Sequence, residues 1–430
     1  MDTYRQPGTV VTDRMFAVPL DHGRPEGAQI EIFARQVVAA GKTDANLPWL
    51  LFLQGGPGNA AQRPVGREGW LHRALDDYQV LLLDQRGTGR STPASRQTLA
   101  RLGSAQAQAD YLAHFRADSI VLDAELIRRD VTGGAPWAVL GQSYGGFCTV
   151  SYLSFAPDGI REALITGGLP GLTATADDVY RLTYPQVAKK TVQHYERYPQ
   201  DVDNARRIAA YLAGHDVCLP GGMPLTVAAF QSLGAMLGAG SGSHALHYLL
   251  ENAFTPDGDE LADAFTYQVG QVVYPFATAP LYALLHEACY AQGTATRWSA
   301  QRVLREFPEF DPGPAIDGTG LLLFTGEMIY PWMVESDPVL SPLREAADIL
   351  AGREDWPPLY DTARLGANDV PVAAALYYDD MYVPAEFSLA TAAVIRGLRP
   401  WITNEYEHDG LRASNGRVLS RLIAMIRGTI

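Results

Sequence analysis

The chain has 430 residues, with 34 Lys and Arg against 48 Asp and Glu, a formal net charge of −14. That length holds one large domain or two to three ordinary ones, and the acidic balance argues against nucleic acid or an anionic membrane as a partner. Three widely spaced cysteines, Cys148, Cys218 and Cys289, form neither a C-x-x-C metal motif nor a disulfide framework, so reduced thiols are expected.

No run of about 18 apolar residues occurs, and the segment from Met1 to Arg5 opens no apolar signal core. The expectation is a cytoplasmic protein without a spanning helix. Met15 to Pro19 and Gln29 to Val38 read as an entering hairpin. Trp49 to Leu53 and Val80 to Leu83 are short apolar runs, as strands buried on both faces require. Ser119 to Arg129 reads as an amphipathic helix, Trp137 to Leu140 as a strand, Phe147 to Phe155 as a helix and Ala163 to Thr166 as a further strand. This alternation predicts a mostly parallel sheet covered by helices on both faces.

From Gly171 the strand signals thin out. Helical stretches are predicted over Asp177–Arg197, Asp203–Ala213, Pro224–Leu237, Ser243–Ala253, Asp259–Tyr267 and Pro280–Gln292. Pattern returns with a helix over Ser341–Ala351, a strand over Val372–Tyr378, a helix over Ser388–Leu398, a strand over Trp401–Thr403 and a closing helix over Leu411–Ile426. The expected architecture is one α/β core, residues 1–170 and 336–430, split by a helical cap over 171–335.

Gly141-Gln142-Ser143-Tyr144-Gly145 lies between the predicted strand ending at Leu140 and the helix that follows. Strand, sharp turn and helix, with serine at the apex and glycine two residues away on either side, is the nucleophile-elbow pattern of α/β-hydrolases, so the core is expected to have the α/β-hydrolase fold. A serine needs a base, and the base an orienting carboxylate, in the chain order Ser, Asp or Glu, His. Of nine histidines only His408 lies beyond the cap, in a loop after the last predicted strand. The carboxylate belongs after the preceding strand, where Asp379 and Asp380 both stand. Asp380, four residues before Pro384, is preferred. Two backbone donors must hold an oxyanion. The N–H of Tyr144 is one; the other comes from Gln54-Gly55-Gly56-Pro57-Gly58, with Gly56 favoured and Gly55 the alternative. Asp84-Gln85-Arg86-Gly87-Thr88-Gly89-Arg90-Ser91 lacks the ending of a phosphate-binding loop and reads as a structural turn, with Asp84 and Arg86 bracing the oxyanion loop. Cys148, five residues after Ser143, reads as a buried small side chain.

Gln-Gly-Gly-Pro-Gly, Asp-Gln-Arg-Gly-Thr-Gly-x-Ser and Gly-Gln-Ser-Tyr-Gly-Gly, in this order and spacing, resemble the prolyl aminopeptidases, also called proline iminopeptidases. Gly326-Glu327-Met328-Ile329-Tyr330-Pro331-Trp332 and Asp379-Asp380-Met381-Tyr382-Val383 resemble the larger-subunit bacterial type. The resemblance is weakest between about 195 and 280. Many members begin the glycine loop with His where this chain has Gln54. The resemblance implies release of N-terminal proline from short peptides through Ser143, Asp380 and His408, with no metal or cofactor. It also implies cap carboxylates that bind the substrate amine: Glu287 is the first candidate, followed by Glu327 and Glu251. Phe147, Tyr144, Tyr290 and Trp332 are candidates for an apolar wall around the proline ring. An esterase or a broader aminopeptidase would use the same chemistry, and a hydrolase-fold binding protein would lack part of the triad.

Overall fold

The computed structural model describes residues 2–273, 276 and 278–430; Met1, Tyr274, Pro275 and Ala277 lie outside the described residues. Strands β1 (Thr3–Gln6), β2 (Thr9–Pro19), β3 (Gln29–Ala39), β4 (Trp49–Leu53), β5 (Gln79–Leu83), β6 (Trp137–Gln142), β7 (Ile160–Thr166), β8 (Val372–Tyr377) and β9 (Leu398–Thr403) build one sheet. Its spatial order is β1-β2-β3-β5-β4-β6-β7-β8-β9. β1 to β3 form an antiparallel meander, β3 pairs antiparallel with β5, and every pair from β5 to β9 is parallel. The entering hairpin is longer than its apolar core suggested, because β2 and β3 stay paired from Thr9↔Ala39 to Pro19↔Gln29.

The parallel half follows from composition. Leu50–Leu53, Val80–Leu83 and Trp137–Leu140 are buried throughout, as strands covered on both faces must be. The chain runs from β4 outward to β5 and then returns past β4 to β6. That reversal opens a crevice outside the carboxyl ends of β4 and β6, the usual ligand position in such sheets. The loop beginning at Gln54 leaves β4 there, and the turn at Ser143 leaves β6 there.

Between β7 and β8 the described chain adds no strand to the sheet and is built from helices. Ala176–Arg197 and Asp201–Gly214 fall close to their predicted spans. Others shift for local reasons. The helix expected from Pro224 starts at Val227, because the Thr226 hydroxyl accepts from Ala229 N–H, and it tightens to 3₁₀ geometry over Ser232–Gly238. The helix expected over Asp259–Tyr267 runs instead from Asp263 to Val273, because a Phe254↔Leu261 bridge and a turn closed by Thr255 N–H on Glu260 O hold the preceding residues extended. Pro280–Gln292 divides into a helix over Pro280–Leu285 and a 3₁₀ turn over Glu287–Tyr290. Leu398 opens β9 rather than closing the helix, which spans Ala385–Val394. The closing helix breaks at Asn415 and Gly416, whose φ values of 48° and 85° are left-handed, leaving Gly410–Ala413 and Arg417–Arg427.

A buried cation ties this segment between β7 and β8 to a helix that precedes β6. Arg116, at the start of the helix Ala117–Thr132, is 1% exposed. Its guanidinium donates to the carbonyls of Ala288 at 3.1 Å, Ala291 at 2.5 Å and Pro357 at 2.8 Å, and lies over the Trp356 ring. No helix among the described residues is long and apolar enough to cross a membrane.

Candidate active site

Ser143 sits at the junction of β6 and the helix Tyr144–Phe155 with φ 57° and ψ −126°. A side chain rarely adopts this backbone, and holding one there costs about 1–3 kcal/mol. The surroundings impose it. A Cβ on Gly145 would stand 1.9 Å from the carbonyl oxygen of Leu53, and one on Gly141 would stand 2.3 Å from that of Gly145. Glycine is therefore required where the elbow helix presses against β4. Ser143 N–H donates to Thr166 O at 3.0 Å, tying the turn to β7. Among the described residues the Ser143 hydroxyl makes no hydrogen bond, and the residue remains 8% exposed.

The glycine loop after β4 lies directly against this turn: a Cβ on Gly55 would be 2.8 Å from Ser143 Cβ. Turned with its oxygen toward the donors around it, the Gln54 amide accepts from Gly55 N–H at 3.1 Å and Arg412 Nη2 at 2.8 Å. Gly55 is thereby engaged. Among the described residues the N–H groups of Gly56 and Tyr144 have no protein acceptor. Asp84 braces the loop, accepting from Ala61 N–H at 3.0 Å and from both Arg63 Nη atoms at 2.7 and 2.6 Å. Gln85 adds a bond to Gln54 O at 3.0 Å. Arg86 does not share that task. It pairs with Asp123 and donates to the carbonyls of Pro19, Leu20 and His114, tying the end of β2 to a helix.

The sheet brings Asp380 and His408 together from the loops after β8 and β9. His408 Nδ1 lies 2.6 Å from Asp380 Oδ2, while Asp380 Oδ1 accepts from Tyr382 N–H at 2.8 Å and Val383 N–H at 3.1 Å. The carboxylate is thus fixed on both oxygens. It orients the ring with Nδ1 protonated and Nε2 free to accept. Burial pulls the His408 imidazole down, but Asp380, with a further contribution from the Glu327 charge, outweighs it and leaves the group above its ordinary value. The Tyr382 ring meets the imidazole edge-on, centroids 4.8 Å apart. Asp379 faces the other way and pairs with Lys189 at 2.8 Å.

The acids suggested for the cap separate. Glu287 is buried, and both its oxygens are taken by the first N–H groups of the helix Ser299–Val303: Ser299 at 3.0 Å and Ala300 at 2.9 Å. Burial raises its carboxyl, and these backbone donors oppose the shift. It stabilises a helix start within the cap. Glu251 lies on the surface, 3.7 Å from His247. Glu327 is half-buried, accepts from the Tyr282 hydroxyl, and its charge acts on His408, Tyr382 and Tyr290.

Aromatic rings connect the elbow to that acid. Tyr144 meets Phe147 at 6.2 Å, Phe147 meets Tyr290 at 5.7 Å, Tyr290 meets His286 at 6.3 Å, and His286 meets Tyr282 at 5.2 Å. Trp332 stacks on Tyr330 at 5.9 Å and shares no ring contact with this series. Cys148 is fully buried, and burial pushes its thiol well up. Tyr282, Tyr382 and the Lys190–Glu407 pair beside His408 were not anticipated: Tyr282 meets Glu327 across 45 residues and Lys190 meets Glu407 across 217, while Tyr382 meets His408 from the loop after the preceding strand, and local pattern carries no signal for such contacts.

Comparison with known proteins bears on the fold and the family. The family model for the alpha/beta hydrolase fold matches residues 48–260. A proline iminopeptidase from Aeromonas sobria is 49% identical over 413 residues, 96% of this chain and 95% of the relative. The proline iminopeptidase aneH of Aspergillus aculeatus is 35% identical over 422 residues, 95% of this chain and 92% of the relative. With that identity over nearly the whole length, the chain belongs to the proline iminopeptidase family of α/β-hydrolases.

Proposed function

We propose that this chain is a serine aminopeptidase that releases N-terminal proline from short peptides, with Ser143, His408 and Asp380 as its triad. The His408–Asp380 bond of 2.6 Å, at the same end of the sheet as the strained Ser143, carries the reading. Ser143 Oγ attacks the first carbonyl carbon and its proton passes to His408 Nε2, while Asp380 stabilises the imidazolium. The N–H groups of Tyr144 and Gly56 receive the oxyanion. His408 then protonates the leaving nitrogen as the C–N bond breaks, giving a prolyl ester on Ser143 and a shortened peptide. Water, deprotonated by His408, hydrolyses the ester and restores the serine.

Glu327 supports the aminopeptidase assignment. It is the cap acid whose charge reaches His408, and the ring series from Tyr144 to Tyr282 ends at its carboxylate. A protonated proline nitrogen is a charged donor that a carboxylate binds strongly, and Phe147 and Tyr290 offer the apolar wall. Replacing Ser143 with Ala is expected to lower hydrolysis of a proline arylamide by about 10,000-fold or more, with thermal unfolding unchanged. Retained activity would overturn the triad. A panel of other aminoacyl arylamides and p-nitrophenyl esters tests the substrate: a clear preference for alanine or for esters would replace proline with a broader acyl specificity.

A further inference from the structure

Residues 407, 408 and 409 each have a partner in the cap. Glu407 is held by Lys190 Nζ at 2.5 and 2.6 Å, the backbone N–H of His408 donates to Gly238 O at 3.1 Å, and Asp409 Oδ1 accepts from Gly240 N–H at 3.2 Å. Gly238 fits tightly beneath Tyr382, since a Cβ there would stand 2.1 Å from the ring. Lys190 is the charged member of this set and is itself enclosed, its side chain 7% exposed against 28% for Glu407. An ammonium so far from water is costly unless its partner is close and well oriented. Among the described residues Lys190 Nζ donates to both oxygens of Glu407 and to none of Ser143, Asp380 or the imidazole. One turn earlier on the same helix face, Gln186 Nε2 donates to Asp379 O at 3.0 Å, so this helix borders the acid loop as well as the base loop.

We propose that Lys190 is a positioning residue for acyl transfer: by clamping Glu407 it fixes the loop that presents His408 to Ser143, so the cap completes the catalytic pair as well as receiving the substrate. The inference rests on His408 being the base. Partial burial raises the half-buried Glu407 carboxyl and Lys190 opposes that shift, which fits a cation that favours the charged carboxylate beside the base. Removing Lys190 leaves Glu407 unpaired one residue from the base, and the loop relaxes toward water.

The test uses the full-length enzyme and the variants Lys190→Met, Lys190→Arg, Glu407→Gln and His408→Ala. kcat and KM are measured on proline arylamide, the labelling rate with a fluorophosphonate, and the folded fraction by thermal unfolding. Per folded molecule, Lys190→Met is expected to lower kcat by about 10- to 100-fold, the penalty of a displaced catalytic group, with KM changed by less than about threefold. Labelling slows in parallel, and Lys190→Arg restores most of the rate. If Lys190→Met does not fold, Glu407→Gln, which keeps the side-chain shape, is judged by the same criteria. A folded variant with native kcat, a loss confined to KM, or a loss that only follows the unfolded fraction overturns the positioning role. Activity retained in His408→Ala overturns the triad reading instead, so the two failures are distinguishable.

Discussion

The two halves of the proposed catalytic apparatus are held in different ways. At the elbow, Ser143 is set by hard contacts: the helix behind it presses against β4 so closely that a single methyl on Gly145 has no room. At the loops after β8 and β9, Asp380 and His408 are set by polar contacts, partly with each other and partly with the cap. Steric placement is indifferent to pH and charge. Polar placement depends on partners that can be titrated or removed. The proposed nucleophile is therefore built into the sheet, whereas the proposed base answers to its electrostatic surroundings.

Substitutions in each half test the distinction. Asp380→Asn is expected to have the largest effect, lowering kcat about 10,000-fold by favouring the wrong imidazole tautomer; steady-state kinetics that show a small loss would mean that another group orients the base. Gly145→Ala attacks the steric half. It is expected to cost about 1–3 kcal/mol of stability and most of the activity, read by denaturant unfolding and fluorophosphonate labelling; an unchanged midpoint would show that the elbow can yield. Glu327→Gln is expected to lower kcat/KM for proline arylamide about 10- to 100-fold, the loss of one charge-assisted bond.

The same substitution has a pH signature. His408 must be neutral to accept a proton, so activity falls as pH drops through its pKa. Asp380 and Glu327 hold that pKa above the ordinary histidine value, so the acid limb of kcat/KM is expected above pH of about 6.5. Removing the Glu327 charge moves the limb downward; an upward shift would contradict the placement. Asp379→Asn, which breaks the half-exposed pair with Lys189, is expected to change kcat by less than about twofold.

The same contrast explains what the sequence made legible. β4, β5 and β6 could be read from unbroken apolar runs, and the elbow from glycines whose spacing reflects local crowding. The pairing of Asp380 with His408 was also legible, because topology sets the loops after β8 and β9 side by side. The cap acids were not. Glu287 lies in a helical stretch much as any other acid does, and only the folded chain shows Ser299 and Ala300 occupying its oxygens. The Lys190–Glu407 pair spans 217 residues, a separation at which neither periodicity nor motif conveys a contact. Helix ends failed where a side chain competed for the backbone, as Thr226 does, or where Asn415 and Gly416 adopted left-handed geometry inside an apolar pattern.

Arg116 has a consequence for how the molecule comes apart. Its guanidinium begins in the core and finds acceptors 172, 175 and 241 residues later. Peeling the segment between β7 and β8 from the sheet would strip those acceptors, and the Trp356 ring beneath the cation, leaving it Asp118 at 3.7 Å. Unfolding of either part therefore removes support from the other, and heat should melt the protein in a single calorimetric transition. Proteases should find few intermediates in which the cap is loose while the sheet remains intact.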